Sequence, residues 1–282
     1  MEKGSLLVLK NKKGVSDVMS KKYQYSIFTK PWKNLSVDEL CKLVQGLGFD
    51  GVEFPLRVGY QAEPANAERD LPKLVEKMKE YGLSIFSVAS STDENIFAAC
   101  QEAGVPIIRI MVTIDPKKGY MATIKETKQE LDRVVKLCEK YKVKVGIQPH
   151  FGEYVSNSME TYHLIQSYDP QYIGAIWDAA HSGLAGEEPE FALDILWSHL
   201  CMVNLKTAFY RRSNGPEAEE ASWDRFFTTG RHGLSSWSRV ANYLKKRDYK
   251  GVICLPAEYT DEANVEKYVA EDIKYVKSLL EG

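Results

Sequence analysis

Residues of metal-binding and acid–base type recur where short apolar runs of this chain end. In WDAAH, residues 177–181, Asp178 closes an apolar run and His181 follows three residues later. Gln148 and His150 end a second run, Asn204 and Lys206 a third, and Glu258 a fourth. Glu53 ends another such run, and Arg109 lies within one more. Side chains two apart on a strand share a face. Gln148 and His150 therefore point one way, as do Asn204 and Lys206, and Cys254, Pro256 and Glu258 share one parity. Oxygen and imidazole donors of this kind suit a divalent cation such as Mg²⁺, Mn²⁺, Zn²⁺ or Co²⁺. Such a metal could grip vicinal oxygens of a polyol and polarise a carbonyl. A carboxylate beside it could then move a proton from carbon.

Each residue also has a plain structural reading. Asp178 could cap the turn that follows it, and His181 could hydrogen-bond within its loop. Glu53 could pair with Arg57 or with Arg109. Lys206 could stand in solvent, and Arg211 and Arg212 could be a solvated pair or contact an anionic substrate. His163 and His199 fall inside helical segments and read as structural. The coincidence of five or more such groups on one face is what favours function.

The elements that must position them alternate strictly. Apolar runs at 25–28, 51–54, 84–89, 107–112, 144–148, 172–177, 201–205 and 251–255 predict eight strands. Amphipathic stretches at 36–47, 68–81, 93–103, 123–141, 158–167, 190–199, 237–247 and 264–280 predict eight helices. Ser36 and Glu39 have capping-box spacing, and Leu131, Val134, Val135 and Cys138 recur at helical period. Strand–helix alternation implies a parallel sheet, and eight units favour an α/β fold closed as a (β/α)8 TIM barrel. Gly48, Gly82, Gly104 and Asp248 stand in short turns ahead of strands. The polar segments 55–67, 151–157 and 207–236 read as long irregular loops on the opposite, catalytic face.

The 282 residues suit one such barrel, which typically takes ~250. Residues 1–18 read as a tag or loose extension, with Met19 available as a second start, and 19–282 as a single barrel domain. A net charge of −2 with both signs interspersed excludes a nucleic-acid footprint. No apolar run approaches the ~20 residues of a membrane span, and 6–9 is too short for a signal peptide. The five cysteines form no CxxC pair and read as buried, reduced thiols of a cytoplasmic protein.

These motifs, in this order, resemble the xylose isomerase-like TIM barrel superfamily of sugar phosphate isomerases and epimerases, which includes the endonuclease IV-like proteins. GFDGVEF (48–54) resembles its second strand, GIQPH (146–150) the fifth, WDAAH the sixth, MVNLK (202–206) the seventh and AEY (257–259) the eighth. RHGLSSW (231–237) resembles the glycine-centred turn before the seventh helix. The resemblance implies a divalent metal held from strands five to eight, which places it on Gln148, Asp178, Asn204 and Glu258. Two of these depart, since Gln148 replaces a carboxylate and Asn204 an imidazole. Neutral amides hold a divalent ion less tightly than anions do. Gln148 also cannot act as one of a pair of catalytic glutamates, which leaves Glu258 with His150, His181, Lys206 or Glu53 as proton carriers.

The expected activity is that of a sugar, sugar phosphate or cyclitol isomerase or epimerase moving a proton next to a carbonyl, assisted by metal. A lyase resembling inosose dehydratase is the alternative, followed by a Schiff-base aldolase through Lys206 and a sugar-binding barrel without turnover. Five histidines and a negative charge argue against the multi-zinc DNA-repair enzymes. Glu53, Arg109, His232 and Tyr210 are expected to bind substrate. The aromatic segment with Phe209, Tyr210, Trp223, Phe226 and Phe227 either covers the mouth or packs over the rim. The resemblance also implies a homo-oligomer.

Overall fold

The computed structural model describes residues 21–282, so the extension expected over 1–18 lies outside the described residues. In chain order the strands are β1 (Tyr23–Phe28), β2 (Gly51–Pro55), β3 (Ser84–Ala89), β4 (Ile107–Ile110), β5 (Lys144–Ile147), β6 (Ile173–Asp178), β7 (Leu200–Asn204), β8 (Thr207–Arg212), β9 (Trp223–Thr228) and β10 (Gly251–Leu255). β1 to β7 and β10 close a parallel barrel, in which β1 pairs with both β10 and β2. The eight expected strands are these eight, with ends shifted by one or two residues.

Nine helices are described: α1 (Val37–Leu47), α2 (Ala67–Glu80), α3 (Glu94–Ala103), α4 (Tyr120–Tyr141), α5 (Ser158–Ile165), α6 (Ala179–Leu184), α7 (Pro189–Leu196), α8 (Trp237–Lys246) and α9 (Val265–Glu281). α1 begins on the expected capping box. The Ser36 hydroxyl accepts from the Glu39 amide, and the Glu39 carboxylate accepts from the Ser36 amide. It ends on Gly48, whose φ of 82° is the left-handed conformation that glycine adopts freely. Leu40, Cys41 and Val44 recur at helical spacing and are buried.

Two differences from the sequence reading matter for the site. The segment 207–236 is not irregular, since β8 and β9 form an antiparallel hairpin with Thr207 opposite Thr228 and Arg212 opposite Trp223. Its residues become progressively exposed along the strands, so no period-two pattern of burial marks them. Residues 179–184 are not loop but the short helix α6, nucleated by the Asp178 side chain, which accepts hydrogen bonds from the amides of Ala180 and His181. Six residues are too few for a periodic signal.

The core has two main parts and a small cluster of Ala180, Leu184 and Ala208 beneath the hairpin base. The larger lies between the outer face of the barrel and its helices, with Leu71, Phe97, Leu131, Leu193 and Ile273 among its members. The smaller fills the barrel itself with Phe28, Phe86, Ile107, Ile176, Met202, Val252 and Cys254. This apolar plug makes the barrel solid, as is usual for the fold, and leaves polar chemistry to the strand ends above it. The ladder shifts register between Val52 and Glu53 and again between Ala175 and Ile176. Such irregularities re-aim side chains, and here each precedes an acidic residue of the mouth, Glu53 or Asp178.

Candidate active site

A chain of hydrogen bonds crosses the mouth of the barrel from β2 to β10. The Arg109 Nε donates to Glu53 Oε1 at 2.6 Å, and Ser87 donates to the same oxygen at 3.2 Å. Another Arg109 nitrogen donates to Gln148 Oε1. Gln148 Nε2 then donates to Asp178 Oδ2 at 2.6 Å. The Lys206 ammonium lies 3.6 Å from that Asp178 oxygen and 2.8 Å from Glu258 Oε2. Lys30 takes the other Glu258 oxygen at 2.7 Å. Glu53, Asp178, Arg109 and Lys206 are all buried. Buried charges persist only when paired and hydrogen-bonded, and here signs alternate along the whole line.

The pairing sets the protonation states. Burial pulls the Lys206 ammonium down, but Asp178 and Glu258 outweigh it and hold the group above its ordinary value. Burial pushes Glu258 up, but Lys206 and Lys30 prevail and hold it well below the usual carboxylate range. His150 is lowered by burial, with the Lys206 charge adding to the effect. Burial holds His181 well below the ordinary value, reinforced by Lys206, His150, Arg109 and Arg225. Both imidazoles are therefore neutral at pH 7, and their rings lie 4.2 Å apart between centroids.

The tautomer of His150 follows from one contact. Its Nδ1 is 2.9 Å from the Phe151 carbonyl oxygen, which can only accept, so Nδ1 carries the proton and Nε2 presents a lone pair. His181 Nδ1 accepts from the Phe151 amide at 3.5 Å, leaving its Nε2 proton buried and without a partner 3.9 Å from Asp178.

An outer cavity of about 1170 Å³ and an inner one of about 70 Å³ open on this line, and Lys30, His150, Lys206 and Glu258 line both. Glu53, Arg57, Arg109, Gln148 and Asn204 line the inner cavity. Asp178 and His181 lie beneath, fully buried, and act on the cavity through their neighbours. Two expected substrate contacts are not brought to the site. Tyr210 lies on the outward side of the hairpin with its hydroxyl on the Leu184 carbonyl, and His232 is exposed in the turn before α8. Neither lines either of these two cavities. Sequence reasoning missed Lys30 and passed over Arg57. Lys30 follows the end of β1 with the parity of Phe28, the signal that was followed on other strands. Also missed was Ala257, whose φ of 54° is unusual for a residue with a side chain and which directly precedes Glu258.

The four positions expected to hold a metal do not fit one. Gln148 gives its oxygen to Arg109 and turns its amide nitrogen, a donor, toward Asp178. Lys206 stands between Asp178 and Glu258, where a shared cation would sit. Of the four, only Asn204 has an oxygen that is buried with no hydrogen-bond partner. A divalent ion would have to displace one ammonium and tolerate Arg109 and Lys30 beside it. Among the described residues no group of three His, Cys, Asp or Glu is placed to hold a metal.

Comparison with known proteins agrees with the architecture. A family model described as "Xylose isomerase-like TIM barrel" matches residues 41–279, and the chain belongs to that family. An inosose dehydratase of Mesomycoplasma hyopneumoniae is 24% identical over 159 residues, which cover 54% of this chain and 53% of that protein. The chain spans about half the length of the curated relatives it matches. The solved structure of 3-keto-D-glucoside 4-epimerase from Escherichia coli superposes with a TM-score of 0.69 at 13% identity, covering 91% of this chain and all of that one. A xylose isomerase-like protein from Mycobacterium smegmatis, in complex with magnesium, has a TM-score of 0.66 at 13% identity, with 91% of this chain and 96% of that one covered.

Proposed function

We propose that this chain is an enzyme that moves a proton next to the carbonyl of a small polyhydroxylated compound, a sugar or cyclitol derivative, as an isomerase or epimerase. The observation that carries this reading is the Lys206 ammonium fixed between Asp178 and Glu258, in a cavity that also holds the free Nε2 of His150. A carbonyl whose oxygen is seated on Lys206 becomes more electrophilic at carbon, and the C–H beside it more acidic. His150 Nε2 takes that proton, and the C–H electron pair forms the C=C of an enediolate whose oxygen charge Lys206 offsets. The remaining hydroxyl proton of the enediolate passes to the oxygen held by Lys206, its own oxygen becomes the new carbonyl, and the imidazolium returns the carbon proton to the neighbouring carbon. Lys206 so supplies the positive charge that a metal supplies elsewhere, and Asp178 and Glu258 position it.

The second reading is dehydration, favoured by the likeness to inosose dehydratases. The same imidazolium would then protonate a departing hydroxyl one carbon further on. One proton carrier on one face suits isomerisation or elimination better than an epimerisation needing a second base opposite. A Schiff-base aldolase needs a neutral lysine, whereas two carboxylates keep Lys206 charged. Five thiols without disulfides support a cytoplasmic location. No described helix is long and apolar enough to cross a membrane.

The test is solvent-deuterium exchange, followed by NMR, across keto-sugars, aldoses and inososes, with protein stripped by EDTA. We expect exchange to persist after stripping and to vanish in His150→Gln. Exchange that needs added Mn²⁺ or Mg²⁺, or that survives in His150→Gln, would sink the reading.

A further inference from the structure

The charges of the inner cavity do not balance. Four cations line it, Lys30, Arg57, Arg109 and Lys206, against the two carboxylates Glu53 and Glu258. Asp178 beneath is a third. Arg109 is matched by Glu53, and Lys206 and Lys30 by Glu258 and Asp178. Arg57 has no described carboxylate within ion-pair distance, although it is partly buried. Its one described side-chain contact is the Phe28 ring, 5.7 Å away, and Arg109 lies 4.7 Å from the same ring. Two guanidinium groups thus converge on one phenyl, and Arg57 feels Glu53 and Glu258 only through space, with neither within ion-pair distance.

Asn204 is the second observation. Asn204 lines the same cavity, and its side-chain oxygen is buried without a donor. A buried acceptor left unpaired is unfavourable, so a ligand hydroxyl that reaches it removes a penalty. Free guanidinium donors and a free acceptor in one pocket ask for an anionic oxygen group beside a hydroxyl. Some 70 Å³ is room for roughly five water-sized centres. That accepts one carboxylate or phosphate and excludes a whole sugar ring, which the outer cavity must take.

We infer that the inner cavity is an anion subsite, with Arg57 as its specificity-determining residue, and that the substrate is an acidic polyol derivative carrying a carboxylate or phosphate next to a hydroxylated carbon. This rests on reading the mouth as the substrate site. Arg57 receives the anion as a planar donor fork, Asn204 takes the adjacent hydroxyl, and the reacting carbons then lie toward His150 and Lys206.

Calorimetry at millimolar ligand tests this with three probes of one skeleton: glycerol, D-glycerate and sn-glycerol 3-phosphate. We expect at least one acid to bind the wild type about tenfold or more tighter than glycerol, a difference of about 1.4 kcal/mol. Arg57→Gln should abolish the preference and Arg57→Lys should keep part of it. Preference for glycerate assigns a carboxylate, and preference for the phosphate ester assigns a phosphate. Equal binding of glycerol and both acids, no binding of either acid, or an Arg57→Gln protein that binds like wild type overturns the inference. Circular dichroism checks the variant, whose lost charge leaves no carboxylate unpaired. Anion binding that Arg57→Gln removes, without proton exchange on any sugar, would overturn the proposed activity and leave this subsite standing.

Discussion

At the scale of the residue, Lys206 is where this chain departs from a metal-holding site. Replacing it with glutamine removes the charge that separates two carboxylates and leaves Asp178 without its cation. Removing one partner of a buried charge pair costs about 3–5 kcal/mol, and removing one donor to a developing oxyanion costs roughly 10²–10³ in rate. Lys206→Gln should therefore unfold at lower denaturant and lose about two orders of magnitude in proton exchange. It should also gain affinity for Mn²⁺, since Asp178, Glu258 and the unpartnered Asn204 oxygen are then free to share a cation. Titration of Mn²⁺ into the two proteins, with no gain in the variant, would count against Lys206 as the resident cation. His150 carries a second prediction. A base must be unprotonated to act, and burial lowers this imidazole below its ordinary value. The kcat/KM profile should thus fall on the acid side with a midpoint below the usual histidine value of about 6.5. A midpoint above 7 would point to another base.

At the scale of the element, the hairpin β8–β9 reaches the outer cavity through Phe227. Phe227 faces the Lys206 ammonium at 5.3 Å. The hairpin is tied to the segment after β10 by two bonds, from the Phe227 amide to the Thr260 hydroxyl and from the Thr260 amide to the Phe227 carbonyl. Its base is set by Gly233, where a Cβ would stand 1.9 Å from the buried Thr207 Oγ1. Gly233→Ala should push the start of β8 outward, cost about 1–3 kcal/mol by overpacking, and raise KM more than it lowers kcat. Steady-state kinetics with denaturation curves check both parts, and unchanged KM would mean the hairpin does not shape the substrate site. This element was also the least legible from sequence. TAFYRR and WDRFFT carry no alternation, so only their mutual pairing makes them strands. The barrel strands were legible because each is a short run buried on both faces, and Gln148, Asp178, Asn204 and Glu258 were found by their position at strand ends. Lys30 was not, because a cation beside a polar loop looks like a solvated one until its partners are known, and Arg57 was weighed only as a partner of Glu53, which pairs with Arg109 instead. The exchange of roles among Gln148, Arg109 and Lys206 was equally hidden. Each residue is visible in sequence, but which oxygen meets which nitrogen is fixed only by the closed barrel.

At the scale of the whole molecule, the mouth ties folding to pH. The barrel keeps two imidazoles neutral among cations, and burial, strongest for His181, is the first cause at both. In the unfolded chain each regains an ordinary value near 6.5 and binds a proton below it. At these two sites the unfolded state therefore holds more protons than the native one as pH drops under 6.5, so their contribution to native stability declines in that direction. By pH 5.5 a histidine kept fully neutral in the fold contributes a loss of about 1.4 kcal/mol. Glu258 acts with the same sign but in another window. Its native value is depressed, so its contribution is complete above the unfolded carboxylate range near 4 and is lost only as pH falls through that range and below. Between pH 7.5 and 5.5 the histidines act against Asp272, whose carboxyl burial pushes up to about 6 and which therefore takes up its proton first in the native state. His181→Asn should be less stable than wild type at both values, since packing is lost, but its loss between them should be smaller by about 1 kcal/mol. Urea unfolding of both proteins at the two pH values reads that difference directly, and parallel losses would show that His181 takes up its proton in the native state.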